Sequence, residues 1–130
     1  MPVLRLLVLA LAVVAPQGSR WKDIGTTSTG NPVQIDPKSV KTAKDGIITA
    51  SFRVPYAKPF DHPKGKVTVT RAVAMFNCGA RTVAVKESTM YLDEKAGRIA
   101  EKSVPKIPGF GPSFSSTFSG VALDYLCPKK

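Results

Sequence analysis

The stretch AMFNCGARTVAV, residues 74–85, indicates two β-runs joined at NCGA, with Cys78 at the junction. Valine, phenylalanine, methionine and threonine dominate both runs, as is typical of strands. The junction is predicted to be a hairpin or a bulge with Gly79 as its pivot. The other cysteine of the chain, Cys127, lies close to the C-terminus in YLCPKK. The fold therefore depends on what surrounds this hairpin and on whether the two cysteines pair.

Both runs extend outward with a period of two. In KVTVTRAVAMFNC, residues 66–78, one set of alternate residues is Val67, Val69, Val73 and Met75, and the other is Thr68, Thr70, Ala72, Ala74, Phe76 and Cys78. In RTVAVKESTMYLD, residues 81–93, Val83, Val85, Glu87, Thr89 and Tyr91 alternate with Thr82, Ala84, Lys86, Ser88 and Met90. We expect each set to lie on one face of a sheet.

A third strand precedes these two in IITASFRVPY, residues 47–56, where Ile48, Ala50, Phe52 and Val54 share a face. We expect Pro55 and Pro59 to end it, because proline lacks the N–H that a strand donates. Residues 57–65 are then predicted to be an exposed loop that carries the only histidine, His62.

Shorter elements complete the predicted sheet. VQID, residues 33–36, reads as a strand, followed by a helical turn capped by Asp36 with Pro37 at its first position. RIAEKSV, residues 98–104, is the last predicted strand. PKIPGFGPSF, residues 105–114, is too rich in proline and glycine for regular structure.

The period changes from two to that of a helix near the C-terminus. Phe118, Val121, Ala122 and Tyr125 recur at i, i+3, i+4 and i+7, with Leu126 adjacent. Ser115 or Ser116 is expected to cap this helix, and Pro128 to stop it. The fold class predicted is therefore α+β, an antiparallel meander with a C-terminal helix packed on one face.

The N-terminus predicts export. Arg5 precedes an apolar run from Leu6 to Ala15, which is shorter than the roughly 20 residues of a membrane-spanning helix. Together with the small residues of APQGS, the run is typical of a signal peptide. We assign residues 1–19 to it and residues 20–130 to one domain. No membrane span is expected in the mature chain, which is placed in the periplasm, secreted or on the cell surface.

Export bears on the cysteines, because thiols tend to pair in an oxidising compartment. Zinc sites show short ligand spacings and redox pairs show Cys-x-x-Cys, and neither pattern is present. A structural disulfide between Cys78 and Cys127 is the default prediction, and it would tether the helix to the sheet.

The net charge of +10 is consistent with solubility and also with attraction to anionic surfaces. A loose run of lysines in predicted loops is the candidate electrostatic site: Lys38, Lys41, Lys44, Lys58, Lys64 and Lys66. In FGPSF, residues 110–114, Phe110 and Phe114 are expected either to cover the sheet edge or to form a partner-binding patch.

Catalytic motifs are not found in the sequence, and no cofactor or metal is expected. His62 beside Asp61 lacks a paired nucleophile, and Asp93 and Glu94 are interpreted as a solvated turn. A stacking platform for nucleic acid from Phe52, Phe60, Phe76 and Tyr91 is rejected, because export argues against it and these residues read as core.

Landmarks along the chain resemble a known family. WKDIG, VQID, FNC and ALDYLC, with Trp21, Asn77, Cys78, Tyr91, Gly97, Tyr125 and Cys127 in this order, are similar to the bacterial surface-adhesin protein E-like domain family. The resemblance covers Trp21 to Cys127. It implies an antiparallel sheet with a disulfide-tethered helix, surface display, and binding of host matrix proteins such as vitronectin or laminin. The chain departs from the namesake in having no lipidated cysteine.

The sequence thus leaves two main functional hypotheses, and a hydrolase or a protease inhibitor stays open as a third. One is a non-enzymatic, adhesin-like binding protein of the envelope, and the other is an electrostatic binder of anionic glycans or lipopolysaccharide. A homodimer through a sheet edge stays open.

Overall fold

The computed structural model describes residues 20–128, so the predicted signal peptide, residues 1–19, lies outside the described residues. Within that range the chain forms eight β-strands, a 3-10 turn and one α-helix. The strands are β1 Lys22–Thr26, β2 Pro32–Ile35, β3 Lys41–Thr42, β4 Ile48–His62, β5 Gly65–Asn77, β6 Thr82–Asp93, β7 Arg98–Ser103 and β8 Gly111–Pro112. The helix, α1, is Phe118–Leu126. The 3-10 turn, Pro37–Ser39, is capped by the Asp36 side chain as predicted.

The strands form one curled antiparallel sheet in the order β1-β2-β4-β5-β6-β7. Apart from the short β3, which pairs with β4, each strand in this order follows its neighbour along the chain, so the predicted meander is confirmed. The two-residue β8 pairs with β6. The proline- and glycine-rich segment therefore contains one short strand, where none was predicted.

Strand β4 shows the predicted alternation. Ala50, Phe52 and Val54 are buried, and the side chains between them face the other side of the sheet. The two prolines do not end the strand, which runs on to His62. The register changes from Pro55 opposite Val69 to Phe60 opposite Val67, so the intervening residues of β4 bulge out. Pro59 lies within this bulge, where no ladder donor is needed, whereas Pro55 is the last residue in register before it.

This extension also corrects the prediction for residues 57–65. They are not a free loop but the far end of the β4–β5 hairpin, with His62 opposite Gly65. The His62 side chain is mostly covered, and its Nε2 lies 3.0 Å from Glu101 Oε1. His62 is thus a partnered strand residue and not an exposed loop histidine.

A second bulge changes the faces of β6. Val73 pairs with Glu87 while Ala74 pairs with Val85, so Lys86 has no counterpart on β5. Because the side-chain period is two, one extra residue exchanges the faces. Val83 and Val85 therefore lie on the same face as Ala74, whereas Glu87, Thr89 and Tyr91 lie on the opposite face. The single face predicted for all five residues is wrong beyond Lys86.

The β5–β6 turn is a hairpin connection, as the NCGA junction suggested. Asn77 Oδ1 accepts a hydrogen bond from the Ala80 amide at 3.0 Å. The residue with positive φ is Arg81, at 54°, and not the predicted pivot Gly79.

Helix α1 begins at a different cap from the one predicted, and of its predicted apolar face Phe118, Val121 and Ala122 pack on the core whereas Tyr125 does not. Thr117, and not Ser115 or Ser116, is the N-cap, and its side chain accepts from the Gly120 amide. Gly120, Ala122 and Leu123 are buried, whereas Tyr125 is exposed. Tyr125 instead accepts a 3.3 Å hydrogen bond from Lys22 Nζ. The buried stripe is thus centred on Ala122 and Leu123.

One cluster of buried side chains joins the helix to the sheet. It contains Val33, Ile35, Ala50, Phe52, Val54, Ala74, Phe76, Val83, Ala122, Leu123 and Cys127. Phe52 is central, with edge-on ring contacts to Phe76 and to Phe118, each 5.5 Å between centroids. The Cys78–Cys127 disulfide is present, with 5.3 Å between the Cα atoms. It fixes the end of α1 to the end of β5, as the sequence predicted.

Candidate functional site

The segment between β7 and α1 exposes apolar side chains. The exposed fractions are 59% for Val104, 87% for Ile107, 43% for Phe110 and 72% for Phe114. We call residues 104–114 the apolar segment. Of the two rings singled out from the sequence, Phe114 lies largely in solvent, whereas Phe110 is a little more than half covered. When exposed apolar side chains form a large contiguous patch, the patch is typical of a contact surface.

The backbone is held in place at the C-terminal end of this segment, residues 111–114, although its side chains are exposed. Strand β8 lies within it and pairs with Thr82 and Val83 of β6. At its end, the Phe114 carbonyl accepts hydrogen bonds from the Thr117 amide at 3.0 Å and from Thr117 Oγ1 at 2.7 Å. A surface whose backbone is already fixed loses less conformational entropy on binding.

The six predicted lysines do not form one patch. Lys38, Lys41 and Lys44 lie around the start of β4, and Lys58, Lys64 and Lys66 lie around its far end. Lys41 is opposite Thr49 and Lys66 is opposite Asp61. At a rise of roughly 3.3 Å per residue, these two positions are on the order of 30–40 Å apart along the strand.

The two lysine groups differ in their surroundings. Lys66 Nζ forms an ion pair with Asp61 Oδ1 at 2.6 Å. Lys38 and Lys41 instead line a shallow groove of about 530 Å³, together with Lys86, the bulge residue of β6. All three charged residues in the lining of this groove are basic, so it can attract an extended anion. We call it the lysine groove.

Glu94 was interpreted as part of a solvated turn, and the structure corrects this. Its carboxylate is largely covered and accepts hydrogen bonds from Arg53 Nη2 at 2.6 Å and Arg71 Nε at 2.6 Å. The Arg53 hydrogen bond is the largest effect on the pKa of Glu94, and with the Arg71 hydrogen bond it lowers that pKa below 4.5, although burial acts in the opposite direction. Both arginines lie on the sheet face opposite α1.

A separate cavity of about 330 Å³ lies beside the start of α1. Phe52, Val54 and Phe118 are among its apolar lining residues. Its polar lining includes Tyr56 and Thr70, whose hydroxyl oxygens are 2.8 Å apart. An apolar lining with a few hydroxyl groups suits a small uncharged ligand.

Residues 20–128 contain no group of three histidine, cysteine or carboxylate side chains placed to hold a metal ion. The same residues contain no helix long and apolar enough to cross a membrane.

Comparison with known proteins gives structural matches alone. No protein-family model and no curated protein matches the sequence. This chain is similar to a crystal form II structure of Haemophilus influenzae protein E, with a sequence identity of 16% and a TM-score of 0.57. The alignment covers 88% of this chain and 94% of the protein E chain. The chain has the protein E fold. A second structure of H. influenzae protein E, also 16% identical, covers 88% and 90% of the two chains with a TM-score of 0.55.

A further protein E structure, from non-typeable H. influenzae, agrees with these two. It is 17% identical, covers 88% of this chain and 81% of its own, and has a TM-score of 0.54. The resemblance drawn from the sequence landmarks is therefore confirmed at the level of fold. At this identity the likeness to protein E speaks for the fold, and the binding properties have to be argued from this chain's own residues.

Several residues that the protein E fold brings together here were missed from the sequence. Arg53, Arg71 and Glu94 meet across two strands and a turn, and Lys86 joins the lysine groove through an unpredicted bulge. Strand alternation did place Arg53 on the side away from the core. The identity of its partners depends on strand register, for which no local sequence signal was available.

Proposed function

We propose that this chain is a non-enzymatic binding protein of the bacterial envelope that adheres to host extracellular-matrix proteins such as vitronectin or laminin. The apolar segment is the observation that carries the proposal. Burial of such side chains contributes roughly 25 cal/mol per Å² of apolar area, and aromatic side chains are enriched in the cores of protein interfaces. Phe110 and Phe114, selected from the sequence as binding residues, both lie in this segment.

The protein E fold and the predicted export support this proposal. The resemblance implies surface display and matrix binding, and residues 1–19 carry the features of a signal peptide. A disulfide in the domain suits an oxidising compartment. We therefore place the mature protein, residues 20–130, in the periplasm, secreted or at the cell surface.

The test is binding of the purified protein to immobilised vitronectin and laminin with a paired variant. Ile107→Ser combined with Phe114→Ser removes the two most exposed side chains of the apolar segment. We expect the pair to weaken binding at least about tenfold, the scale of losing a hot spot. Val40→Ser is the matched control, because Val40 is an exposed apolar residue outside the segment. Equal binding by both variants and the unsubstituted protein would reject the proposal.

Self-association of the protein has to be measured separately in the same experiment. Strand β7 is at one end of the main strand order, and its free edge is a candidate for a homodimer. Light scattering at the concentrations used for binding separates the two contacts. Loss of matrix binding without a change in mass assigns the effect to the matrix contact.

A second candidate function rests on the lysine groove. Lys38, Lys41 and Lys86 face one open surface with no carboxylate in its lining, which favours an anionic polymer such as a glycan or lipopolysaccharide. Lys38→Met with Lys41→Met is expected to weaken heparin binding and to leave a salt-resistant matrix contact unchanged. Charge-driven binding falls steeply as ionic strength rises, which separates the two candidates.

A further inference from the structure

The sheet face opposite α1 carries a row of polar side chains that crosses five strands. Directly opposed residues along the row are Gln34, Arg53, Arg71, Thr89 and Lys102. Arg53 uses its donors within the protein, bonding to Glu94 and, through Nη1, to Gln34 at 2.8 Å. Arg71 differs, because within residues 20–128 its Nε alone has a hydrogen-bond acceptor, Glu94 Oε2.

The Arg71 guanidinium is positioned by two aromatic rings and by one hydrogen bond from Nε, and none of these contacts uses its terminal Nη donors. Its central carbon lies 5.4 Å from the Trp21 ring centroid and 5.8 Å from that of Tyr91. Both distances are within the range of cation–π attraction. Glu94 fixes the Nε edge at 2.6 Å. The Nη groups of an arginine oriented in this way are preorganised to donate two parallel hydrogen bonds to an anion.

Arg71 lines a polar cavity of about 240 Å³. Its lining includes Arg20, Trp21, Ser51, Arg71, Glu87, Thr89, Tyr91 and Lys102. The lining thus contains three cations and one carboxylate, and two of the cations are also paired with carboxylates outside the lining, Arg20 with Asp36 and Arg71 with Glu94. The volume is below the roughly 300–1,000 Å³ of pockets for drug-sized ligands, so the cavity suits one small group or one ring of a larger molecule.

We propose that this cavity binds an acidic sugar residue, with the sugar's carboxylate or sulfate on Arg71. The flat guanidinium matches the two oxygens of such a group, and Lys102 adds positive charge to the lining, whereas Arg20 is already paired with Asp36. Ser51 and Thr89 can exchange hydrogen bonds with sugar hydroxyls, and Glu87 can accept from one. Glu87 therefore disfavours a bare anion and tolerates an anion that also carries hydroxyl groups.

The cavity adjoins the lysine groove, since both include Ser51 in their lining and Lys86 precedes Glu87 in β6. An acidic polymer with one residue in the cavity can therefore continue along the groove. This proposal is separate from the matrix contact of the apolar segment. Its extension from one sugar to a polymer along the groove rests on the second candidate function, the binding of an anionic polymer. The single-sugar site itself requires neither the apolar segment nor the groove.

The test is an NMR titration of the isotope-labelled protein with three monosaccharides. Glucuronic acid probes a carboxylate, glucose 6-sulfate probes a sulfate, and glucose is the neutral control. Trp21 is the sole tryptophan of the chain, so its indole signal is a single marker inside the cavity. We expect saturable shifts at Trp21, Thr89 and Lys102 with at least one anionic sugar, at a dissociation constant of about 1 mM. Equal shifts with glucose, or none with either anionic sugar, would overturn the proposal.

Two variants with opposite expected effects on affinity distinguish a role in binding from a purely structural role. Arg71→Lys keeps the charge but loses the paired donors, and it should weaken glucuronic acid binding about tenfold. Glu87→Gln removes the repelling carboxylate and should tighten sulfate binding a few-fold. Lys38→Met in the groove should leave monosaccharide binding unchanged. An Arg71→Lys protein that is folded by its NMR spectrum and binds as before would refute the assignment, whatever the outcome for the groove.

Discussion

Arg53 and Arg71 lie directly opposite each other on β4 and β5, and both donate hydrogen bonds to the carboxylate of Glu94. Like charges in directly opposed positions destabilise a sheet pair. Glu94, which follows β6, supplies the compensating charge from the neighbouring turn. The polar face of the sheet is therefore held together by one carboxylate between two cations.

Glu94→Gln should lower the free energy of unfolding by about 2 kcal/mol, because it leaves two largely covered arginines without their anion. Urea denaturation at neutral pH measures the difference. Glu87→Gln is the matched control on the same face and should stay within about 0.5 kcal/mol of the unsubstituted protein. Similar stabilities for the two variants would contradict the role given to Glu94.

The pKa shifts predict the pH dependence of stability. Glu94 has an ordinary pKa of 4.5 and Asp36 one of 3.8, and arginine hydrogen bonds, from Arg53 and Arg20 respectively, lower both in the folded state. A carboxyl with a lowered folded-state pKa contributes stability that is present above its unfolded pKa and lost as the pH falls through the folded value. Urea midpoints should therefore decline below about pH 4.5. The decline should be shallower in Glu94→Gln, and parallel curves would count against the assignment.

Removal of the disulfide by the double substitution Cys78→Ser and Cys127→Ser should lower the free energy of unfolding by up to about 4 kcal/mol in the chain-entropy model. The double variant avoids leaving a single reactive thiol. Thermal melts of the variant, with the reduced unsubstituted protein as control, measure the effect. An unchanged melting temperature would show that the tether between β5 and α1 does not stabilise the domain.

Gly120→Ala should destabilise the protein although alanine favours helices by roughly 1 kcal/mol over glycine. A Cβ atom at this buried position would overlap the backbone carbonyl of Phe114 and lie 2.8 Å from the Ser115 Cα. The start of α1 would then have to move away from the apolar segment. Gly109→Ala is the control, since its added Cβ would meet no atom within 4 Å. A higher melting temperature for Gly120→Ala would contradict this packing.

Strands β2, β4, β5, β6 and β7 and their order could be predicted because they follow from local alternation and from the sequence order of a meander, whereas the short strands β1, β3 and β8 could not. Phe52 and Val54 alternate with polar neighbours, and adjacent antiparallel strands need short turns and little else. The end of β4 is not predicted because proline usually ends a strand, whereas the bulge between Pro55 and Phe60 accommodates Pro59 in a strand that continues.

The candidate sites were harder to predict because they depend on register. The bulge at Lys86 decides which face Glu87, Thr89 and Tyr91 occupy, and it has no composition signal in VAVKEST. The partnership of Glu94 with Arg53 and Arg71 joins residues far apart in sequence. Sequence reasoning did select Phe110 and Phe114, but their exposure depends on how β8 anchors the segment.

Adhesion to matrix proteins is tested most directly by measuring how the mature, oxidised protein binds immobilised vitronectin, laminin and heparin across a salt series. If the apolar segment forms the contact, binding to a matrix protein should persist from low to physiological ionic strength, because an apolar interface is little screened by salt. Binding to heparin alone, lost as the salt concentration rises, would contradict the adhesin proposal and favour the electrostatic one.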